Sequence, residues 1–86
     1  MMLIIERIST KRKTQIWLSG EFRAEELDQV KDEIERAAPR LALDLEEVYF
    51  VDIEAVRFLN ASVEHGIAVL HASPYIKEWM ARERGL

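Results

Sequence analysis

Residues 2–8 are apolar and β-branched, with Glu6 and Arg7 near the end, and residues 14–19 hold Ile16, Trp17 and Leu18 between polar Thr14, Gln15 and Ser19. With the polar residues 9–13 between them, the two runs predict a β-hairpin. Ile16 and Leu18 take one face of the second strand and Trp17 the other, while Leu3 and Ile5 oppose Met2 and Ile4 on the first. Gly20 reads as the point where the second strand breaks. From Ala24 the apolar period lengthens. Leu27, Val30, Ile34 and Ala37 share one helical face, while Glu26, Lys31, Asp32 and Glu35 face water. A helix over residues 24–38 follows, with Glu25, Glu26 and Asp28 suiting its positive end and Pro39 ending it.

Residues 41–45 predict a short central strand, and residues 46–52 a connection whose Val48, Tyr49, Phe50 and Val51 are packed. Asp52 predicts the N-cap of a second helix over 53–65, with Val56, Leu59 and Val63 as its buried stripe and Gly66 as its left-handed cap. Residues 67–72 predict a further strand. Ser73-Pro74 opens a last helix with Ile76, Trp79 and Met80 on one face. The order β-β-α-β-α-β-α describes one α/β domain over residues 1–86, a sheet of about four strands layered with about three helices.

At 86 residues there is room for one core, and the absence of cysteine excludes disulfides and thiolate metal sites. The net charge of −4 is unevenly placed: residues 1–43 balance eight acids with eight bases, while residues 44–86 carry eight acids against four bases. The only basic run, Lys11-Arg12-Lys13, falls in the hairpin turn, so no nucleic-acid partner is expected. The opening Met-Met-Leu-Ile-Ile-Glu reaches an acid too soon for a signal peptide, and no apolar run has membrane-spanning length. A cytoplasmic protein without membrane insertion is expected.

Candidate chemistry is sparse. His65 suits a helix C-terminus and His71 alternates along a strand, so no metal site is expected from them. Neither a Ser-His-Asp order, a phosphate-cradling glycine loop nor a nucleophile elbow occurs. Glu46, Glu47, Asp52 and Glu54 offer carboxylates for acid–base work. A solvated loop and a helix start explain them more simply. No catalytic residue and no cofactor are expected, and the chain does not read as an enzyme.

The stretch from residue 41 to residue 59 resembles the core signature of STAS domains, the family of anti-sigma-factor antagonists. That signature is an apolar strand ending in Asp, a short loop, an apolar pair, then Asp-Ser-Ser-Gly opening a helix. Asp44 matches the first Asp, and Phe50-Val51-Asp52 match the lead-in to the phosphoacceptor. Leu18-Ser19-Gly20-Glu21-Phe22 is similar to the family's strand-end glycine motif. Gly66-Ile67-Ala68-Val69-Leu70 is similar to its next helix-to-strand join, and Arg82-Glu83-Arg84-Gly85-Leu86 to its C-terminal end. The resemblance covers nearly the whole chain in the right order. It implies a mixed sheet and a non-enzymatic binding module whose partner is an anti-sigma-type serine kinase or another regulatory protein.

In the family that kinase phosphorylates the first serine after the Asp, and only the unphosphorylated form binds it. Phosphate there adds about −1.5 to −2 charges beside the contact surface. Here Ile53 stands at the acceptor position, Glu54 at the second serine and Ala55 at the glycine, so the usual switch is absent. Three readings stay open, the first preferred. Ile53 and Ala55 form an apolar landing site for constitutive binding; or Ile53 tucks into the core and Glu54 decorates the helix start; or Glu54 mimics the phosphorylated state. Against mimicry, Glu54 lies about 100° around the helix from position 53. Ser62 faces away from position 53, and Ser73 is accounted for as a cap.

The partner surface implied is Asp52, Ile53, Glu54, Ala55 and Arg57 with Glu46 and Glu47 from the neighbouring loop. Met2, Ile4 and Trp17 offer a second interface, unless a helix or terminal segment covers that face, and a homodimer is one partner open to the chain. Two alternatives remain: an accessory subunit of a membrane transport complex, and a small-ligand or nucleotide binder.

Overall fold

The computed structural model describes residues 2–37 and 40–85. Strand β1 (Leu3–Ser9) pairs antiparallel with β2 (Lys13–Phe22), and the turn closes through the Thr10 N–H, which donates to the Lys13 carbonyl at 2.8 Å. Strand β3 (Arg40–Val51) runs parallel to β2, and β4 (Ala68–Leu70) parallel to β3, giving the sheet order β1-β2-β3-β4. A single 3₁₀ turn (Ala24–Glu26) leads into α1 (Leu27–Glu35). Helix α2 (Ile53–Glu64) joins β3 to β4, and α3 (Pro74–Glu83) follows. The mixed α/β sheet with three helices is the architecture that the sequence predicts.

The two successive parallel crossovers, β2-α1-β3 and β3-α2-β4, step in the same direction across the sheet, and such connections are right-handed as a rule. They therefore lay α1 and α2 on one face. That face holds the core: Ile16, Leu18 and Phe22 of β2 and Leu43, Leu45, Val48 and Val51 of β3 meet Val30, Val56, Leu59, Ile76 and Met80. Helix α3 is tied to α2 by Asn60, whose Nδ2 donates to the Met80 carbonyl at 2.9 Å and whose Oδ1 accepts from Arg84 at 3.0 Å. On the opposite face Met2, Ile4, Ile8 and Trp17 remain exposed. No helix among the described residues is long and apolar enough to cross a membrane.

The strands are longer than the sequence predicts. Gly20 does not end β2; it sits inside the strand at φ 106°, between two shifts of register against β3. Nor does β3 stop at Leu45, since residues 46–51 continue it instead of forming a connection. The two extra residues that β3 carries explain both differences. They turn Glu46 and Glu47 to water while Val48 and Val51 still reach the core. Tyr49 is exposed, its hydroxyl donating to Glu21 Oε2 at 3.3 Å, and Phe50 lies under the Arg23 guanidinium at 4.2 Å. Neither is packed in the core.

Three further expectations change. Glu26 is buried rather than solvated, because its Oε1 accepts the Arg23 N–H at 2.9 Å and holds the 3₁₀ turn. On α2, Val63 is exposed, and Ala55, Asn60 and Ser62 are buried with Val56 and Leu59, because the helix is covered by the sheet below and by α3 beside it. The last strand is only three residues long: His71 takes a left-handed φ of 59° and leaves the ladder. Gly66 caps α2 at φ 87° as expected. Helix α1 stops at Glu35, three residues short of the predicted end, with Ala37 already in a bend; Ala38, Pro39 and Leu86, on which the predicted stop signal and part of the C-terminal motif rest, lie outside the described residues.

Candidate functional site

Where β2 and β3 end side by side, one carboxylate serves two helix starts. The Asp52 N–H donates to the Phe22 carbonyl at 3.3 Å, holding the strand ends together. Asp52 Oδ1 accepts the Ala55 N–H at 2.9 Å and caps α2, while Oδ2 accepts the Ala24 N–H at 2.8 Å in the first turn after β2. The backbone at the α2 start is thus set by bonds from both crossovers. Ile53 emerges there half-buried, followed by exposed Glu54 and Arg57. Arg57 Nη1 lies 3.7 Å from Glu54 Oε2, and its Nε donates to Glu83 Oε1 of α3 at 3.2 Å. Exposed pairs like these contribute about 0–1 kcal/mol each, so they shape the rim more than they stabilise the fold.

The structure therefore brings Asp52, Ile53, Glu54 and Arg57 together. It does not add Ala55, which is fully buried against the core and cannot offer contact area. Glu46 and Glu47 are exposed, but they lie within β3, not in a loop beside the helix. Six to seven extended residues, about 20 Å of strand, separate them from Ile53. Ser62 is buried and donates to the Phe58 carbonyl at 2.9 Å, in agreement with its exclusion as an acceptor.

Sequence reasoning missed the neighbour of this surface. Between α1 and α2 runs an open groove of about 620 Å³, floored by Leu27, Ile34, Phe58, Ala61 and Ile67 and rimmed by Lys31, Glu35, Glu54, Arg57 and His65. Its signal in the sequence is Phe58, a large apolar side chain next to Leu59 but off the buried stripe.

A second constellation joins residues far apart in the chain. Asp44 is buried on the face turned away from the helices; its Oδ2 accepts from Gln15 at 3.1 Å and faces His71 Nδ1 at 2.9 Å, while Oδ1 accepts the Glu46 N–H at 3.0 Å. Asp44, Glu46 and His71 bring one ligand atom each within 4.8 Å of one another, a spacing open to a cation. Because both Asp44 oxygens already accept hydrogen bonds, a structural knot is the simpler reading. Burial opposes ionisation of Asp44, but the Glu46 N–H, His71 and Gln15 outweigh it and hold the carboxyl below its ordinary value. A carboxyl with a depressed folded pKa stabilises the fold above its unfolded value, about 3.9, and loses that contribution as pH falls through the folded value. Asp44→Asn is therefore expected to lower Tm at neutral pH and to flatten its fall below about pH 4. Parallel Tm–pH curves for the two proteins would contradict this role.

Among solved structures, the antisigma-factor antagonist STAS domain from Rhodobacter sphaeroides superposes with a TM-score of 0.63 at 16% identity, over 84% of this chain and 92% of that one. The anti-sigma factor antagonist SpoIIAA in its unphosphorylated form superposes with a TM-score of 0.61 at 18% identity, over 90% of this chain and 79% of that one. No family model and no curated protein sequence matches the chain. At these identities the likeness shows the fold, and the fold is that of STAS domains.

Proposed function

On the frame of a STAS fold, we propose that the chain is a non-enzymatic regulatory module that binds another protein through the start of α2. The observation that carries this reading is the pair of hydrogen bonds that Asp52 accepts from the Ala55 and Ala24 N–H groups. It presents Ile53, Glu54 and Arg57 on a rigid backbone at the position where the resemblance puts the family's switch. Position 53 has no hydroxyl, so binding there is constitutive rather than phosphorylation-controlled. Mimicry by Glu54 is disfavoured, because its carboxylate faces Arg57 and its charge is partly neutralised. The groove beside Glu54 and Arg57 takes an apolar segment of the partner, and its apolar floor suits that occupant better than a nucleotide.

The resemblance points to an anti-sigma-type serine kinase as the partner and to a cytoplasmic location. A subunit role in a membrane transport complex would use the same surface. Pull-down from native lysate is expected to recover a kinase-like regulatory protein, and Ile53→Asp to cut that recovery by about tenfold or more. Unchanged recovery would remove Ile53 from the interface. Incubation of the chain with that kinase and ATP is expected to leave its mass unchanged; an added phosphate would refute constitutive binding.

A further inference from the structure

The sheet face turned away from the helices carries a pattern complementary to itself. The register puts Lys13, Gln15, Trp17 and Ser19 of β2 on this face beside Arg40, Ala42, Asp44 and Glu47 of β3, with Ile4, Glu6 and Ile8 on β1. Ile4 and Ile8 are more than half exposed on either side of Glu6, and Trp17, across from Glu6, is 41% exposed, so three apolar side chains surround one carboxylate on the two strands. Charge is segregated along the strands. The hairpin end holds exposed Lys11, Arg12, Lys13 and Arg40, the last two lining a shallow depression of about 380 Å³ that also reaches Ala68 and Leu70. The other end holds Glu46, Glu47 and Glu21, with Arg23 as the one base, paired to Glu21 at 3.0 Å.

We propose that this face packs against the same face of a second copy, about a twofold axis that crosses the strands at the level of Ile16 and Leu43. Rotation about that axis reverses the strands, so the basic end of each protomer covers the acidic end of the other. Lys13 and Arg40 lie three rows to one side of the Ile16–Leu43 row, and Ser19 and Glu47 three rows to the other. Arg40 therefore meets the partner's Glu47, twice by symmetry. The same axis lays Glu6 over the partner's Ile8 and not over its own copy, which avoids a buried like-charge pair. Aligned sheets pack about 10 Å apart, close enough for Trp17 and the isoleucines to interdigitate.

Size sets the strength. Four strands about 4.8 Å apart and about seven residues long give a face of roughly 500 Å², so the pair buries on the order of 1,000 Å². That is the low end for a specific interface, and the association is a reversible, salt-sensitive dimer. It occupies the face opposite the α2 surface, so it stands or falls apart from the partner reading above.

Sedimentation equilibrium on the full chain, from micromolar to millimolar concentration, tests it. The weight-average mass is expected to rise from 10.0 kDa toward twice that value, and less so in high salt. Arg40→Glu or Glu47→Arg alone is expected to weaken dimerisation about tenfold or more, and the two together to restore it. Trp17→Ser is expected to weaken it similarly, with circular dichroism confirming the fold of each variant. A chain that stays monomeric at every concentration would overturn the proposal. So would a dimer indifferent to these residues, or a double charge-swap that fails to restore association.

Discussion

Gly20→Ala is expected to lower the melting temperature by about 15 °C. Gly20 holds a φ of 106°, which L side chains rarely adopt, and a Cβ built there would lie 2.6 Å from the Met2 carbonyl oxygen. That oxygen is backbone, it accepts the Glu21 N–H at 3.2 Å, and the adjoining Leu3 is paired with Gly20 in the ladder. It has no rotamer to change. Either the start of β1 detaches or the register shifts of β2 against β3 around Gly20 are lost. Backbone strain of about 1–3 kcal/mol and a comparable clash sum to about 3 kcal/mol, and a domain of this size shifts about 4–8 °C per kcal/mol. Gly66→Ala separates the two contributions, because Gly66 shares a positive φ of 87° but a Cβ there meets nothing within 4 Å. Thermal denaturation of both variants checks the argument. Equal losses would show that the Met2 contact carries no weight.

Asp52→Ala is expected to cost about 2 kcal/mol, or about 10 °C, and to loosen two segments at once. The cap bond to Ala55 contributes about 1 kcal/mol, and its loss leaves the first turn of α2 to fray. The bond to Ala24 adds less than a buried one would, because water reaches that N–H when the carboxylate is gone. Asp52→Asn keeps one acceptor oxygen and is expected to fall between wild type and alanine. Hydrogen exchange reads the effect directly: both the Ala24 and the Ala55 amides are expected to lose protection. If only Ala55 responds, Asp52 is an ordinary helix cap and the two crossovers are not joined through it. Partner binding should fall with the fraying even though Asp52 need not touch the partner.

Local chemistry made much of this readable from the sequence. Asp52, Ser73 and Gly66 act within three or four residues of themselves, and each caps its helix as expected, with Ser73 Oγ accepting the Ile76 N–H at 3.3 Å. What depends on distant partners was not readable. Whether β2 passes through Gly20 is decided by Met2 on one side and by the bulges of β3 on the other. Glu46 and Glu47 look like loop residues because two successive acids break the alternation, yet the register shift absorbs them in a continuous strand. The rotation of α2 depends on α3, whose Met80 carbonyl is reached by Asn60 from twenty residues away, and this is why Val63 and Ala55 exchanged their expected roles. For the site, the capping half of Asp52 is local and the Ala24 half spans twenty-eight residues. The pairing of Asp44 with His71 spans twenty-seven, across a strand that ends earlier than its apolar run.

The bridging carboxylate also has a mechanical meaning. The jaws of the groove are α1 and α2, and the segments that lead into both are held by Asp52. At the far end, where Ile34 and Ile67 line the gap, α1 gives way to a turn after Glu35 and α2 to the Gly66 cap. The arrangement is that of forceps with the pivot at Asp52, so a segment entering the groove would meet helices held together next to Glu54 and Arg57 and joined by no such bridge at the tips.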